Sequence, residues 1–237
     1  MKHHKLSALA GAMILSLSSA QAASILDTFS DGPGLIQTDA APYAEIYLPS
    51  VEAPGAGRYI ANTIAAGVAQ TGKFSFAAIQ AGAYFTLSDA AIPLYTNLAY
   101  GVAHGFGQDL SLDLQSESAF RLDFRYLSAP ISLTVTVITA HGGGSPSSVA
   151  DFAMTVDASF AQTVLIPFAA FVNDAGNPSP VSWGDIDAIS FIASGPGGAG
   201  FAIDTFSTVQ AVPEPASLGL LLAGLGLVAR VARRRSI

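Results

Sequence analysis

Trp183 is the only tryptophan in the 237-residue chain. An indole has an apolar face and a donor edge, which suits it to stack on a sugar ring. Tyr84, Tyr95 and Tyr100 are read as further surface aromatics with the same chemistry. Asp185 and Asp187 stand close to Trp183, and hydrolysis of a glycoside needs two carboxyl groups across a sugar cleft. In a strand these two share a face; beside Trp183 they equally cap a turn. His104 and His141 sit in glycine-flanked turns, with no second histidine or carboxylate at ligand spacing. Ser145 and Ser194 stand beside glycines but lack the G-x-S-x-G elbow that presents a serine nucleophile. Gly195 to Gly200 lacks the Lys-Ser/Thr of a phosphate loop and reads as a flexible turn. Cysteine is absent, which removes thiolate nucleophiles and thiolate metal sites. No residue is assigned a catalytic role, so the chain is read as one that binds or coats.

Charge narrows the partners. Between Ser24 and Val212 the basic residues are Arg58, Lys73, Arg121 and Arg125, against sixteen acids. So acidic a middle repels phosphate backbones, which argues against nucleic acid. The remaining six basic residues lie near the two ends: Lys2, Lys5, Arg230, Arg233, Arg234 and Arg235.

Both ends read as addresses. Two lysines precede an apolar run from Leu6 to Leu17, and Ala20-Gln21-Ala22 supplies small residues before a cut at Ala23. That order is a secretory signal peptide over residues 1–22. At the other end Val212-Pro213-Glu214-Pro215 breaks regular structure. An apolar or small run from Ala216 to Ala229 follows, then Arg230 and the cluster Arg233, Arg234 and Arg235. As a helix that run reaches about 21 Å at 1.5 Å per residue, short of a hydrocarbon core of roughly 30 Å unless Val231, Ala232 and snorkelling arginines extend it. The arginines hold the tip on the cytoplasmic side while the body is exported across the inner membrane.

Residues 212–237 resemble the PEP-CTERM sorting signal of Gram-negative bacteria on three features in order. These are the Pro213-Glu214-Pro215 tripeptide, the Gly/Leu-rich span and the arginines Arg233 to Arg235. The resemblance implies processing by exosortase near the tripeptide, a transient membrane anchor, and delivery to the cell surface or extracellular matrix.

The body, residues 23–211, must position whatever site there is, and its period is two. Leu110, Leu112 and Leu114 alternate with Ser111, Asp113 and Gln115; Phe120, Leu122, Phe124 and Tyr126 alternate with Arg121, Asp123 and Arg125; and Ile131 to Val137 alternates likewise. Each pattern predicts a strand with one buried face. Ser116-Glu117-Ser118 is short enough for a hairpin between the first two. Arg121 and Arg125 share a polar face and are expected to pair across strands with a neighbour such as Asp113. Only Asn62 to Gln70 offers a short helix. Gly/Pro/Asn turns punctuate the rest, so the fold class is all-β: an antiparallel β-sandwich.

From Leu110 onward the order of strands resembles galactose-binding-like jelly rolls, the fold of many carbohydrate-binding modules. The strings are Phe120 to Tyr126, Ile131 to Thr139, Gln162 to Phe168, Trp183 to Phe191 and Phe201 to Phe206, with Ile25 to Phe29 echoing the last. In such folds a calcium ion often ties the first strand to the last, which nominates Asp27, Asp31 and Asp204. The resemblance implies an exported structural or adhesive protein associated with exopolysaccharide. The alternatives are a carbohydrate-binding module with a defined site at Trp183, or an enzyme acting on polysaccharide.

Overall fold

The computed structural model describes residues 23–38, 43–64, 72–103, 106–107, 110–140, 147–176 and 179–210. Residues 1–22, expected from sequence to be a signal peptide, the sorting segment with Pro213, Glu214, Pro215 and Arg233 to Arg235, and His104, His141 and Ser145 lie outside them. One compact unit spans Ala22–Ala211.

The described strands are β1 (Ala23–Asp27), β2 (Gly34–Thr38), β3 (Tyr43–Pro49), β4 (Gly57–Thr63), β5 (Ser75–Gln80), β6 (Ala83–Ser88) and β7 (Pro93–Tyr100). There follow the two-residue β8 (Val102–Ala103) and β9 (Phe106–Gly107), β10 (Glu117–Leu127), β11 (Ile131–Thr139), β12 (Ser148–Val156), β13 (Ser159–Pro167), β14 (Val172–Asn173), β15 (Ala188–Gly197) and β16 (Gly200–Gln210). Sheet I runs β13-β10-β16-β6-β5-β2, with β1 also on β16; sheet II runs β14-β12-β11-β15-β7-β4-β3. Every pairing among them is antiparallel. From β10 the chain crosses to β11, turns into β12, crosses back to β13, and crosses twice more to reach β15 and β16. These crossings wind the two sheets together as a jelly-roll sandwich.

Alternation made this outcome legible. Phe120, Leu122 and Phe124 of β10 are buried, as are Ile131, Leu133, Val135 and Val137 of β11, and their alternates are more exposed. The two inner faces meet in an aromatic layer in which Phe120 packs edge-on to Phe168 (4.7 Å between centroids) and Phe191 edge-on to Phe206 (4.8 Å). Ring pairs at such angles and distances are favoured by the aromatic quadrupole. The echo of the last strand near the chain's start is also realised, since β1 pairs with β16 from Ala23↔Val209 to Asp27↔Phe206.

Several local expectations are corrected. Leu110 to Leu114 makes one isolated bridge, Leu112↔Ile186, rather than a strand, although Leu110 and Leu114 also donate to the carbonyls of Asp187 and Trp183. Opposite it the chain turns at Trp183 and Gly184, so too little extended partner exists for a ladder. Glu117 and Ser118 already belong to β10, so the turn closes earlier, through Glu117 N–H to the Leu114 carbonyl. Asn62 and Thr63 are in β4 and not in a helix; residues 65–71 lie outside the described set. Ser194 to Gly197 belongs to β15, and only the residues around Gly198 turn. Arg125 bonds Asp204 (2.7 Å), its neighbour on β16, and Arg121 bonds Asp123 (3.0 Å) on its own strand. Asp113 instead accepts from the Gln115 N–H (3.0 Å), a local turn that outcompetes a distant arginine.

Candidate functional site

The sequence-expected residues divide between core and surface. Tyr84 and Tyr100 are core residues, 2% and 0% exposed, which corrects their reading as surface aromatics; Tyr95 is 42% exposed. Trp183 lies flat on Phe168, 3.9 Å between centroids and 5° between planes, with Phe171 edge-on at 5.4 Å. One indole face is therefore used in closing the core. Asp185 is exposed in a turn, whereas Asp187 is buried and accepts the Ala140 N–H, so the two do not face each other across a cleft.

Asp27 and Asp31 do come together, around a cation the chain supplies itself. Arg58 of β4 and Asp27 of β1 are both fully buried. Arg58 Nε donates to Asp27 Oδ2 (2.5 Å) and Nη2 to Oδ1 (2.5 Å), a two-pronged pairing that suits guanidinium and carboxylate geometry. Tyr100 of β7 donates to Asp27 Oδ2 (2.8 Å) and the Phe29 N–H to Oδ1 (2.8 Å). The guanidinium also lies over the Phe29 ring, 5.4 Å from its centroid. On its other side Arg58 Nη2 reaches Asp31 Oδ1 (3.0 Å) and Nη1 the Asp31 carbonyl (2.8 Å). Since β1 is in sheet I and β4 and β7 are in sheet II, this network pins one sheet to the other.

Electrostatics follow the geometry. Burial pushes the Asp31 carboxyl up, but hydrogen bonds from Ser50, the Val51 N–H and Arg58 outweigh it and hold the group at about 2. Burial opposes charge on Arg58, and Asp27 more than restores it, so the guanidinium stays charged. Burial and the adjacent Asp27 carboxylate push the Tyr100 phenol well up, so it donates. Asp204 is placed elsewhere, against Arg125. Among the described residues no three His, Asp or Glu side chains converge on a metal-sized site.

The outward face of sheet II carries the groups suited to a ligand. Register identifies it. The row Ile46–Ile60–Leu98–Phe191–Val135–Phe152 runs across β3, β4, β7, β15, β11 and β12 and packs into the core. The flanking rows therefore point outward. One is Glu45–Ala61–Asn97–Ile192–Thr134–Ala153, and the other is Tyr47–Tyr59–Ala99–Ser190–Thr136–Asp151. A third outward row contains Tyr43 paired with Thr63, and Tyr95–Ser194–Ser132–Thr155. Six strands at about 4.8 Å spacing span roughly 24 Å, but on β4 and β7 the outward Tyr59, Ala61 and Ala99 are buried in a second cluster against which Val102 packs, so that part of the face is covered.

Two features stand on it. At the β3 edge Tyr43 and Tyr59 both donate to Glu45 Oε2, and their hydroxyl oxygens are 2.5 Å apart. Burial first and Glu45 second push both phenols up, so they stay protonated and fix the carboxylate. Tyr43 remains 47% exposed above this knot. Toward the other side, Tyr95, Ser194, Ser132 and Thr155 line a depression of about 460 Å³, walled by Pro130 and Pro196. Further along the same two strands, Ser190 Oγ of β15 donates to Asn97 Oδ1 of β7 (2.8 Å) and orients the amide. Of these, the sequence reading had named Tyr95 and Ser194. Tyr43, Glu45 and Tyr59 carry no short motif, and only the β3–β4 register brings them together.

The fold and face define an antiparallel jelly-roll sandwich with an outward aromatic and hydroxyl surface. Comparison with known chains adds the sorting signal: residues 211–236 match the PEP-CTERM protein-sorting motif, which marks export through the cell envelope and processing by exosortase. No curated protein matches the sequence. Among solved structures, the chain is similar to a family 11 carbohydrate-binding module from Clostridium thermocellum in complex with a beta-1,3-1,4-mixed-linked tetrasaccharide. The identity is 14% and the TM-score 0.44, over 83% of this chain and 100% of the module. It is similar also to the family 11 module of the cellulosomal cellulase Lic26A-Cel5E of the same organism (15%, TM-score 0.43, 83% and 99%). A third similarity is to an agarase (11%, TM-score 0.42), over 81% of this chain and 25% of the agarase.

Proposed function

We propose that the sandwich is a carbohydrate-binding domain which, once exported and released by exosortase, holds exopolysaccharide at the cell surface or in the matrix. The sugar chain lies across the outward face of sheet II. The observation that carries this reading is the set of outward rows, where exposed Tyr43 and Tyr95 stand in one row beside hydroxyl, amide and carboxylate groups. Aromatic faces stack on the apolar faces of pyranose rings, and fixed polar groups select their hydroxyls. An adhesive role is preferred here to a hydrolytic one, and the pair nominated by sequence for hydrolysis, Asp185 and Asp187, does not face a common cleft.

Calorimetric titration of the mature protein with neutral oligosaccharides tests this. Saturable binding is expected, weakened about tenfold by Tyr95→Ala, since one aromatic stacking contact is worth about 1.4 kcal/mol. No saturable binding to any glycan, or binding indifferent to both Tyr95→Ala and Tyr43→Ala, sinks the proposal.

A further inference from the structure

The two sheets divide the domain's charges unequally. The outward rows of sheet II contain Glu45 and Asp151 and, among the described residues, no lysine or arginine. Arg58 belongs to a strand of that sheet but is fully buried on its inner side. Arg121 and Arg125 lie on sheet I, each bound to a carboxylate. The face is therefore an anionic one at neutral pH, with Glu45 at one margin and Asp151 toward the other, on a body that is itself strongly acidic. Glu45 cannot turn away from a ligand without giving up both phenol hydrogen bonds, so its charge is fixed where Tyr43 is exposed.

We infer that the polysaccharide held on this face is a neutral one, built from uncharged hexoses, and that polyuronates and other acidic glycans are excluded. The inference rests on the glycan-binding reading of the same face. A chain with a carboxylate on each sugar would bring several anions over Glu45 and Asp151 with no cation to receive them. Like charges set together at a recognition surface act against the wrong partner more than they help the right one. Two unit charges about 4 Å apart repel enough to weaken binding about fivefold in water and well over tenfold near a protein surface. At the protein surface, where this contact is made, a discrimination of at least about tenfold follows. An amino sugar chain would gain from the same carboxylates, but the polar groups between them are the uncharged ones of Asn97, Thr134, Thr136 and Ser190, set among Ala61, Ala99, Ile192 and Ala153, and they suit hydroxyls.

The test uses matched oligomers on the mature protein. Neutral hexose hexamers are titrated beside the same hexamers oxidised to the carboxylate at C6, and an N-acetylated amino sugar hexamer beside its deacetylated form. The expected result is binding of a neutral hexamer, with its oxidised partner at least about tenfold weaker at low salt. The gap should narrow as ionic strength rises, because exposed charges are screened. Asp151→Asn, a change at an exposed position, should narrow it too. An oxidised hexamer that binds as well as its neutral parent overturns the inference, and so does a deacetylated hexamer that binds tenfold tighter than the neutral ones. If no hexamer of any charge binds, it is the glycan-binding reading itself that falls.

Discussion

Asp27→Asn isolates the charge that joins the two sheets. The substitution keeps the shape of the side chain and an acceptor for the Phe29 N–H, but it removes the negative charge from a fully buried partner of Arg58. The guanidinium then keeps only Asp31, at 3.0 Å and on the solvent side. Removing one member of a buried pair costs about 3–5 kcal/mol, and the surviving Asp31 contact places this case near the lower figure. For a domain of this size 1 kcal/mol moves the melting temperature by about 2–4 °C, so a fall of about 10 °C is expected. Urea unfolding followed through Trp183, stacked on Phe168, measures the free energy directly. The paired replacement Asp27→Leu with Arg58→Met should cost less than Asp27→Asn alone, because it leaves no uncompensated charge. A cost below about 1 kcal/mol for Asp27→Asn, or a double variant worse than the single, would refute the account of a buried, mutually dependent pair.

Acid should destabilise the domain as Asp31 is protonated. Its carboxyl is held at about 2 in the folded state, against 3.8 for a free aspartate, so the stability it confers is full above pH 4 and is lost as pH falls toward 2; melting scans across that window check this. At the alkaline end, Tyr59, Tyr84 and Tyr100 keep their protons in the fold beyond the 10.0 of a free phenol, so stability falls above pH 10 and phenolate absorbance for these groups should appear with unfolding. Gly101→Ala should cost about 3 kcal/mol or more by the same unfolding assay, because Gly101 has φ +71° and an added Cβ would lie 2.1 Å from the Asp187 carbonyl oxygen. Because Arg58 already bridges Asp27 and Asp31, a chelator should leave the melting temperature unchanged, and a drop would restore calcium to these carboxylates. Mass spectrometry of the exported protein should find a chain starting near Ala23 and ending near Pro213; a full-length tail in cells with active exosortase would contradict the sorting account.

Legibility in the sequence followed burial. Where one face is buried and the other wet, as in Phe120 to Tyr126 and Ile131 to Thr139, alternation alone located the strand and its inner face. It misled at Leu110 to Leu114, where the same alternation lacks a partner strand long enough to pair with. The candidate site was harder to see, because its groups come from strands far apart in the chain. Glu45, Asn97 and Thr134 stand in one row only once β3, β4, β7, β15 and β11 are in register. Aspartates show a second limit. Asp27, Asp31 and Asp204 are nominated by sequence as calcium ligands, whereas Asp27 and Asp31 share Arg58 and Asp204 pairs with Arg125; nothing local in sequence announces Arg58, 31 residues after Asp27, as the partner. Tyr84 and Tyr100 were misplaced because a tyrosine enters a core readily once its hydroxyl has a partner, here Thr96 and Asp27.

The pairing of β1 with β16 sets the order in which the domain can be finished. Thr208 bonds the Ser24 carbonyl across 184 positions of sequence, and among the described strands β1 pairs with β16 alone. Until β16 is made, β1 lacks the strand it pairs with, and Asp27 is not held in place against Arg58. Closure of the sandwich therefore waits for the tail.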